Sequence, residues 1–250
     1  MSDIRIDYKS YKLNVKETIA CIIIYTFIIA VISLLFYNSL FAVLAMYPFI
    51  FVFIKAASDR LRKKRCRQLQ IEFGEMLDML SASLSAGYSL ERAFMPVYEE
   101  VHGIYKGNSL IENELRIINR GLQLNESIEV LLNDFGERSG ISDIREFSQV
   151  VVVAKRTGGN IVKIIKKITE HMRSRREVES EIATMVAAKR MEQRIMSIMP
   201  CVIIAYMRLT NGAYMDCLYG NPAGIVVMSI CLIAAILSIY WGRRIVEIEV

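Results

Sequence analysis

Two hydrophobic patterns alternate along this 250-residue chain: uncharged runs long enough to cross a bilayer, and stripes at helical spacing interrupted by charge. Residues 18–37 carry no Asp, Glu, Lys or Arg, and about 20 apolar residues span roughly 30 Å of hydrocarbon. After Asn38 and Ser39 a second run covers residues 40–57, with Lys55 able to snorkel. A third covers 195–209 and begins with IMSIMPCVIIAYM, just after Lys189, Arg190 and Arg194. The fourth covers 223–241 and stops at Gly242, Arg243 and Arg244. The pattern predicts four transmembrane helices.

Between the second and third runs the apolar spacing becomes three and four, as on the inner faces of packed helices. Phe73, Met76, Leu77, Leu80 and Leu84 mark one such face, ended by Gly87. Ser89 is placed to cap a helix from Leu90, which Pro96 should kink or shorten. His102 falls in the loop that follows. Ser109 and Glu112 have capping-box spacing ahead of a helix that Gly121 ends. Asn125 is a candidate cap for the next, with Ile128, Leu131, Leu132 and Phe135 inward, ending near Gly140. Ser142 opens another, closed by Gly158 and Gly159. From Asn160 to Met207 one helical path meets no glycine or proline until Pro200. Its expected buried face is Ile161, Ile164, Ile165, Ile168 and Met172, continuing through Val178, Ile182, Met185 and Val186. The expected fold is therefore all-α: a cytoplasmic six-helix antiparallel bundle plus four transmembrane helices, the last bundle helix continuing into the third span. The expected divisions are 1–57 (tail and first hairpin), 58–194 (bundle) and 195–250 (second hairpin and tail).

Charge placement orients this scheme. Arg5, Lys9, Lys12 and Lys16 precede the first run, none separate the first two, and Lys55 to Arg67 follows the second. With Arg243 and Arg244 after the fourth, the positive-inside bias puts both termini in the cytoplasm and residues 209–222 outside. The first run lacks a small-residue cleavage site and reads as a retained anchor. Arg60, Arg62, Lys63, Lys64, Arg65 and Arg67 are placed to meet anionic lipid headgroups. No aromatic residues interleave them for base stacking, so no nucleic-acid partner is expected. Arg208, beyond the uncharged core of the third run, can either snorkel outward or contact a partner helix.

A composition that is 54% hydrophobic yet 23% charged fits a membrane part joined to a water-exposed part. Cys21, Cys66, Cys201, Cys217 and Cys231 show neither metal spacing nor a disulfide framework, and His102 and His171 have no companion ligands in sequence. No phosphate-binding glycine loop or nucleophile motif occurs, and Gly158-Gly159-Asn160 reads as a helix stop and restart. No enzyme activity, metal or cofactor is expected. Charged bundle positions such as Glu99, Glu100, Arg116, Arg120, Glu137 and Arg138 are candidates to meet a partner protein.

Taken in order, LDMLSASLSAGYSLERAF (residues 77–94), AKRTGGNIVKIIKKI (154–168) with RSRRE downstream, Pro200 at the third run and NPAGIVV before the fourth carry a resemblance. They resemble the type II secretion system F domain of inner-membrane platform proteins, closest to the TadB type of tight-adherence (Flp) pilus systems. Gly74 stands where that pattern usually has proline, and Thr210-Asn211-Gly212-Ala213 replaces a proline-containing external loop. The resemblance makes Gly87, Ser89, Leu90, Gly158, Gly159, Asn160, Pro200, Pro222 and Gly224 structural motif positions. It implies a non-enzymatic platform in the inner membrane, coupling a hexameric secretion ATPase to pilin subunits, beside a related second platform protein or further copies of itself. A membrane-anchored helical sensor or adaptor, or a piece of a larger transporter, are the readings from other classes.

Overall fold

The computed structural model describes residues 7–9, 15–37, 47–157, 160–210, 219 and 221–246. The described chain is helical: α1 Val15–Phe36, α2 Ile50–Ser85, α3 Leu90–Tyr105, α4 Leu110–Gln123, α5 Ile128–Ser139, α6 Ser142–Thr157, α7 Ile161–Thr210 and α8 Pro222–Val246, with a 3-10 turn at Tyr47–Phe49. It divides into two compact units, one drawn from residues up to Lys12 with Ser58–Glu177, the other from Leu13–Ala57 with Val178–Val250. α2 and α7 each contribute residues to both.

The first unit is a helical bundle in which α3 packs along α4, α4 along α5 and α5 along α6. Its core holds Leu69, Phe73, Leu77 and Leu80 from α2, Phe94 and Val97 from α3, Ile111 and Leu115 from α4, Phe135 from α5, Phe147 from α6 and Ile165 from α7. Phe73 meets Phe135 and Phe147 edge-on, with ring centroids 6.1 and 5.5 Å apart. Burying each large apolar side chain contributes about 1.5–3 kcal/mol, so this cluster is the bundle's main source of stability.

Several boundaries differ from the sequence expectation. The bundle's first helix does not begin at Phe73; α2 already runs from Ile50 through the whole basic stretch. Charge does not terminate a helix, and nothing between Ile50 and Ser85 except Gly74 disfavours one. Pro96 neither ends nor shortens α3, which continues to Tyr105 and carries His102 in its last turn. Gly121 lies inside α4, where a Cβ would come within 2.5 Å of Leu131 Cδ2; it is a packing contact between α4 and α5. Asn125 does not cap α5: it takes a left-handed conformation at φ 61°, and Ser127 is the cap residue. Gly87 and Gly140 do act as breakers, with φ of 97° and 65° that a side chain would strain. Gly158 and Gly159 lie outside the described residues. On α7 the buried positions end at Met172; Val178 and Met185 stand 54% and 73% exposed, so the expected inner face does not extend that far.

In the second unit α1 packs on α8. Tyr25 and Ile29 of α1 cluster with Ile50, and Phe36 clusters with Met228 and Leu232 of α8. Most of the apolar surface points outward, as with Ile23, Phe27, Val226 and Ile230. Outward apolar side chains on helices with all backbone bonds satisfied are what lipid requires. Val15–Phe36 and Ala223–Gly242, with mean hydropathy 2.9 and 2.5, are long and apolar enough to cross a membrane. The expected second run overlaps residues 38–46, which lie outside the described residues, and the third forms the last turns of α7.

Candidate functional site

Helical spacing places several charged side chains on the buried faces of the bundle, where they hold helices in register. Glu72 lies between Leu69 and Met76 on the inner face of α2 and is 3% exposed. Its Oε2 accepts from Ser109 Oγ (2.9 Å) and from the amides of Leu110 (2.8 Å) and Ile111 (3.0 Å), while Oε1 accepts from Gln68. A carboxylate of α2 thus serves the otherwise unpaired amides that begin α4. The capping box is only half formed. Ser109 Oγ accepts from the Glu112 amide at 3.3 Å, but the Glu112 carboxylate turns to Gly107 N and to His102 Nδ1. Tyr105 donates to Glu75, and that bond holds its hydroxyl pKa up to about 12.

Glu114 projects from α4 into the bundle and is fully buried. Arg138 of α5 meets it with two nitrogens at 3.0 and 2.6 Å and gives its Nε to Asp134 at 2.8 Å. Burial disfavours the Arg138 charge, but Glu114 and Asp134 outweigh this and raise its pKa. Tyr8, also buried, donates its hydroxyl to Glu114 Oε1 at 3.0 Å. Burial first, then the Glu114 charge, pushes the Tyr8 hydroxyl pKa well up.

Asp143, in the first turn of α6, joins three helices. It accepts from Gln70 of α2 at 2.7 Å and pairs with Arg175 of α7 at 3.0 Å. The adjacent Arg176 lays its guanidinium over Gly74, where a Cβ would come within 2.4 Å of it, and reaches Asp78 at 3.9 Å. The RSRRE segment therefore clamps α7 to α2 and α6. Lys155 of α6 bridges Glu91 and Glu129, in the first turns of α3 and α5, at 3.0 and 3.1 Å. Backbone bonds at those helix starts, aided by Lys155, hold both carboxyls below their ordinary range, and Glu91 leads the effects that raise the Lys155 pKa.

Alongside this clamp, α6 and α7 leave a groove of about 340 Å³ floored by Phe147, Val150, Ile164, Ile168 and Met172. Glu146 edges it on the α6 side, and Lys167 and His171 on the α7 side.

The residues singled out in the sequence fall in separate places. Arg60, Lys63, Lys64 and Arg67 are exposed on α2; Arg62 is half-buried near Asp59, and Arg65 is half-buried with its guanidinium 5.2 Å from the Tyr8 ring. Glu99, Glu100 and Arg120 are exposed, and Glu137 is exposed beside Lys9 and Arg145. Arg116 is half-buried and donates to Asn113. Arg138 is not an exposed position: its side chain is 16% exposed and committed to Glu114 and Asp134. Ser89 is the α3 cap residue without a side-chain bond, and Leu90 is buried behind it. Asn160 caps α7 by accepting from Lys163 N at 3.0 Å. Pro200 sits within α7, while Pro222 and Gly224 lie in the first turn of α8. In the membrane unit Arg208 donates to the Leu34 carbonyl at the end of α1 and lies 5.9 Å from the Tyr219 ring, so it makes a helix contact. Tyr219 donates to the neighbouring Leu35 carbonyl.

Sequence reading missed Glu72, Glu114, Asp143, Lys155 and Tyr8. For Glu114 a signal existed: it follows Ile111 by three and precedes Ile118 by four, which puts it on the buried face. Glu72 stands in the same relation to Leu69 and Met76. Tyr8 had none.

The described residues are helical, and two of the helices are long and apolar enough to cross a membrane. Residues 76–208 match the family described as type II secretion system (T2SS), protein F. The chain belongs to that family. No curated protein and no solved structure matches it.

Proposed function

We propose that the protein is a non-enzymatic inner-membrane platform of a pilus or type II-like secretion machine, of the tight-adherence TadB type, coupling a cytoplasmic secretion ATPase to pilin subunits in the bilayer. The observation that carries this is the protein F match at residues 76–208, which ends within the apolar last turns of α7. In this reading the chain crosses the membrane four times, with both termini and the bundle cytoplasmic. Positive residues at Lys9, Lys16, Lys55 and Arg60 to Arg67 support that orientation. The exposed basic positions of α2 would meet anionic lipid where the helix leaves the bilayer.

The bundle is the part that would receive the ATPase, with Glu99, Glu100, Arg120 and Glu137 as the exposed charged positions for it. A related second platform protein, or further copies of this chain, would complete the assembly. Purification from native membranes in mild detergent tests the reading. The platform account expects a hexameric secretion ATPase and a second F-domain protein to travel with the chain. Recovery without either, from cells making the machine, would count against it.

A further inference from the structure

We propose that residues 7–9, ahead of the first apolar helix, form an arm that locks onto the bundle, with Tyr8 as its key in a socket built by α2, α4 and α5. Nothing in the local sequence obliges Tyr8 to be buried, yet it is 1% exposed. Four contacts on different atoms hold it. Its amide donates to the Arg138 carbonyl at 3.1 Å, its carbonyl accepts from Cys66 Sγ at 3.8 Å, its hydroxyl meets Glu114, and its ring faces the Arg65 guanidinium. Both neighbours assist. Asp7 accepts from the Lys9 amide at 2.9 Å and closes a turn, and Lys9 reaches Glu137 at 3.7 Å while its stem lies against Gly140.

The chemistry of the socket explains why tyrosine fits. The Tyr8 ring offers its electron-rich face to the Arg65 guanidinium at 5.2 Å, while Arg138 is held by Glu114 and Asp134. Glu114 is fully buried, so each donor it receives offsets desolvation, and a hydroxyl supplies one that phenylalanine cannot. Gly140 matters as well. A Cβ there would stand 3.1 Å from Lys9 Cγ, crowding the seated arm.

This inference rests on the bundle's own geometry and holds whether or not a secretion ATPase binds.

Zero-length carbodiimide coupling of the full chain in detergent tests it, because Lys9 and Glu137 are an amine and a carboxylate in contact. Equal amounts of isotopically heavy and light protein are mixed before coupling, and the joined peptides are read by mass spectrometry. The arm account expects a Lys9 to Glu137 amide within single copies. Tyr8→Ala should lower its yield about tenfold, and Tyr8→Phe, which keeps the ring, by less than about threefold. Absence of the amide in the unmodified protein, an amide only between heavy and light copies, or an unchanged yield in Tyr8→Ala would each overturn it. The coupling in the unmodified protein decides even if Tyr8→Ala fails to fold.

Discussion

Glu72 on α2 accepts the amide proton of Ile111 on α4 at 3.0 Å, across 39 residues of sequence. One carboxylate oxygen also serves Leu110 N and Ser109 Oγ, so the start of α4 is capped from another helix and not by its own box. Glu72→Ala would leave one buried amide, one half-buried amide and a hydroxyl without this acceptor, at a cost of about 2–4 kcal/mol. Glu72→Gln keeps an acceptor and should lose less. Amide hydrogen exchange over residues 110–123 measures the difference, with the alanine variant exchanging fastest.

The Glu114 and Arg138 pair behaves differently, because both partners are charged and the carboxylate is fully buried. Arg138→Met should destabilise the bundle by about 3–5 kcal/mol, since the buried Glu114 carboxylate loses its main partner. Adding Glu114→Gln should recover much of that loss. Denaturant unfolding of the two variants in detergent, followed by a bundle probe, checks the sign of the recovery.

Two glycines that look alike in sequence should respond unlike to alanine. At Gly121 the added Cβ meets Leu131 within a packed helix interface, so Gly121→Ala should cost about 1–3 kcal/mol through overpacking. At Gly74 it meets the tip of a long Arg176 side chain, which can swing aside. Gly74→Ala should be near neutral, helped by alanine's better helix propensity. Thermal unfolding of the two variants against the parent makes the comparison.

Lys155 gives a pH dependence of known sign. Glu91 and Glu129 are held below the ordinary carboxylate range, so the stability they add is present above that range and is lost as pH falls through their lower folded values. All three side chains are between 25% and 43% exposed, and solvent screening keeps the contribution of each pair below about 1 kcal/mol. Lys155→Met should therefore flatten the stability profile only in part, and only below the ordinary carboxylate range, because the backbone bonds at the two helix starts remain. Chemical unfolding at pH 7, 5 and 4 would show it.

How much of this was legible follows from which forces leave a trace in sequence. Apolar periodicity located the inner faces of α2 and α5, because Phe73, Met76, Leu77, Leu80 and Leu84, and Ile128, Leu131, Leu132 and Phe135, recur at helical spacing and are all buried. Gly87 and Gly140 marked ends because only glycine adopts their φ cheaply. Asn125 misled for a related reason: asparagine favours both caps and left-handed turns, and the sequence alone does not say which. The charged pegs were harder. Glu72, Asp143 and Lys155 act on helices distant in sequence, and a charge on a helix reads as a solvated face unless its register is compared with its apolar neighbours. On α7 the apolar spacing persisted past Met172 although burial did not, since periodicity records amphipathicity and not what covers the face.

In the proposed platform α7, one helix from Ile161 to Thr210, would carry displacement from the bundle toward the membrane. Ser180 and Glu181 are exposed on it, and neither belongs to a hydrophobic cluster among the described residues. Replacing both by glycine costs about 1 kcal/mol each in local helix stability relative to alanine. The decisive measurement is surface pilus assembly in cells carrying Ser180→Gly with Glu181→Gly, against the same pair changed to alanine. The account predicts that piliation falls sharply in the glycine pair and persists in the alanine pair, with equal protein levels and equal ATPase recovery. Normal piliation in the glycine pair would contradict it and would mean that the platform works by docking alone.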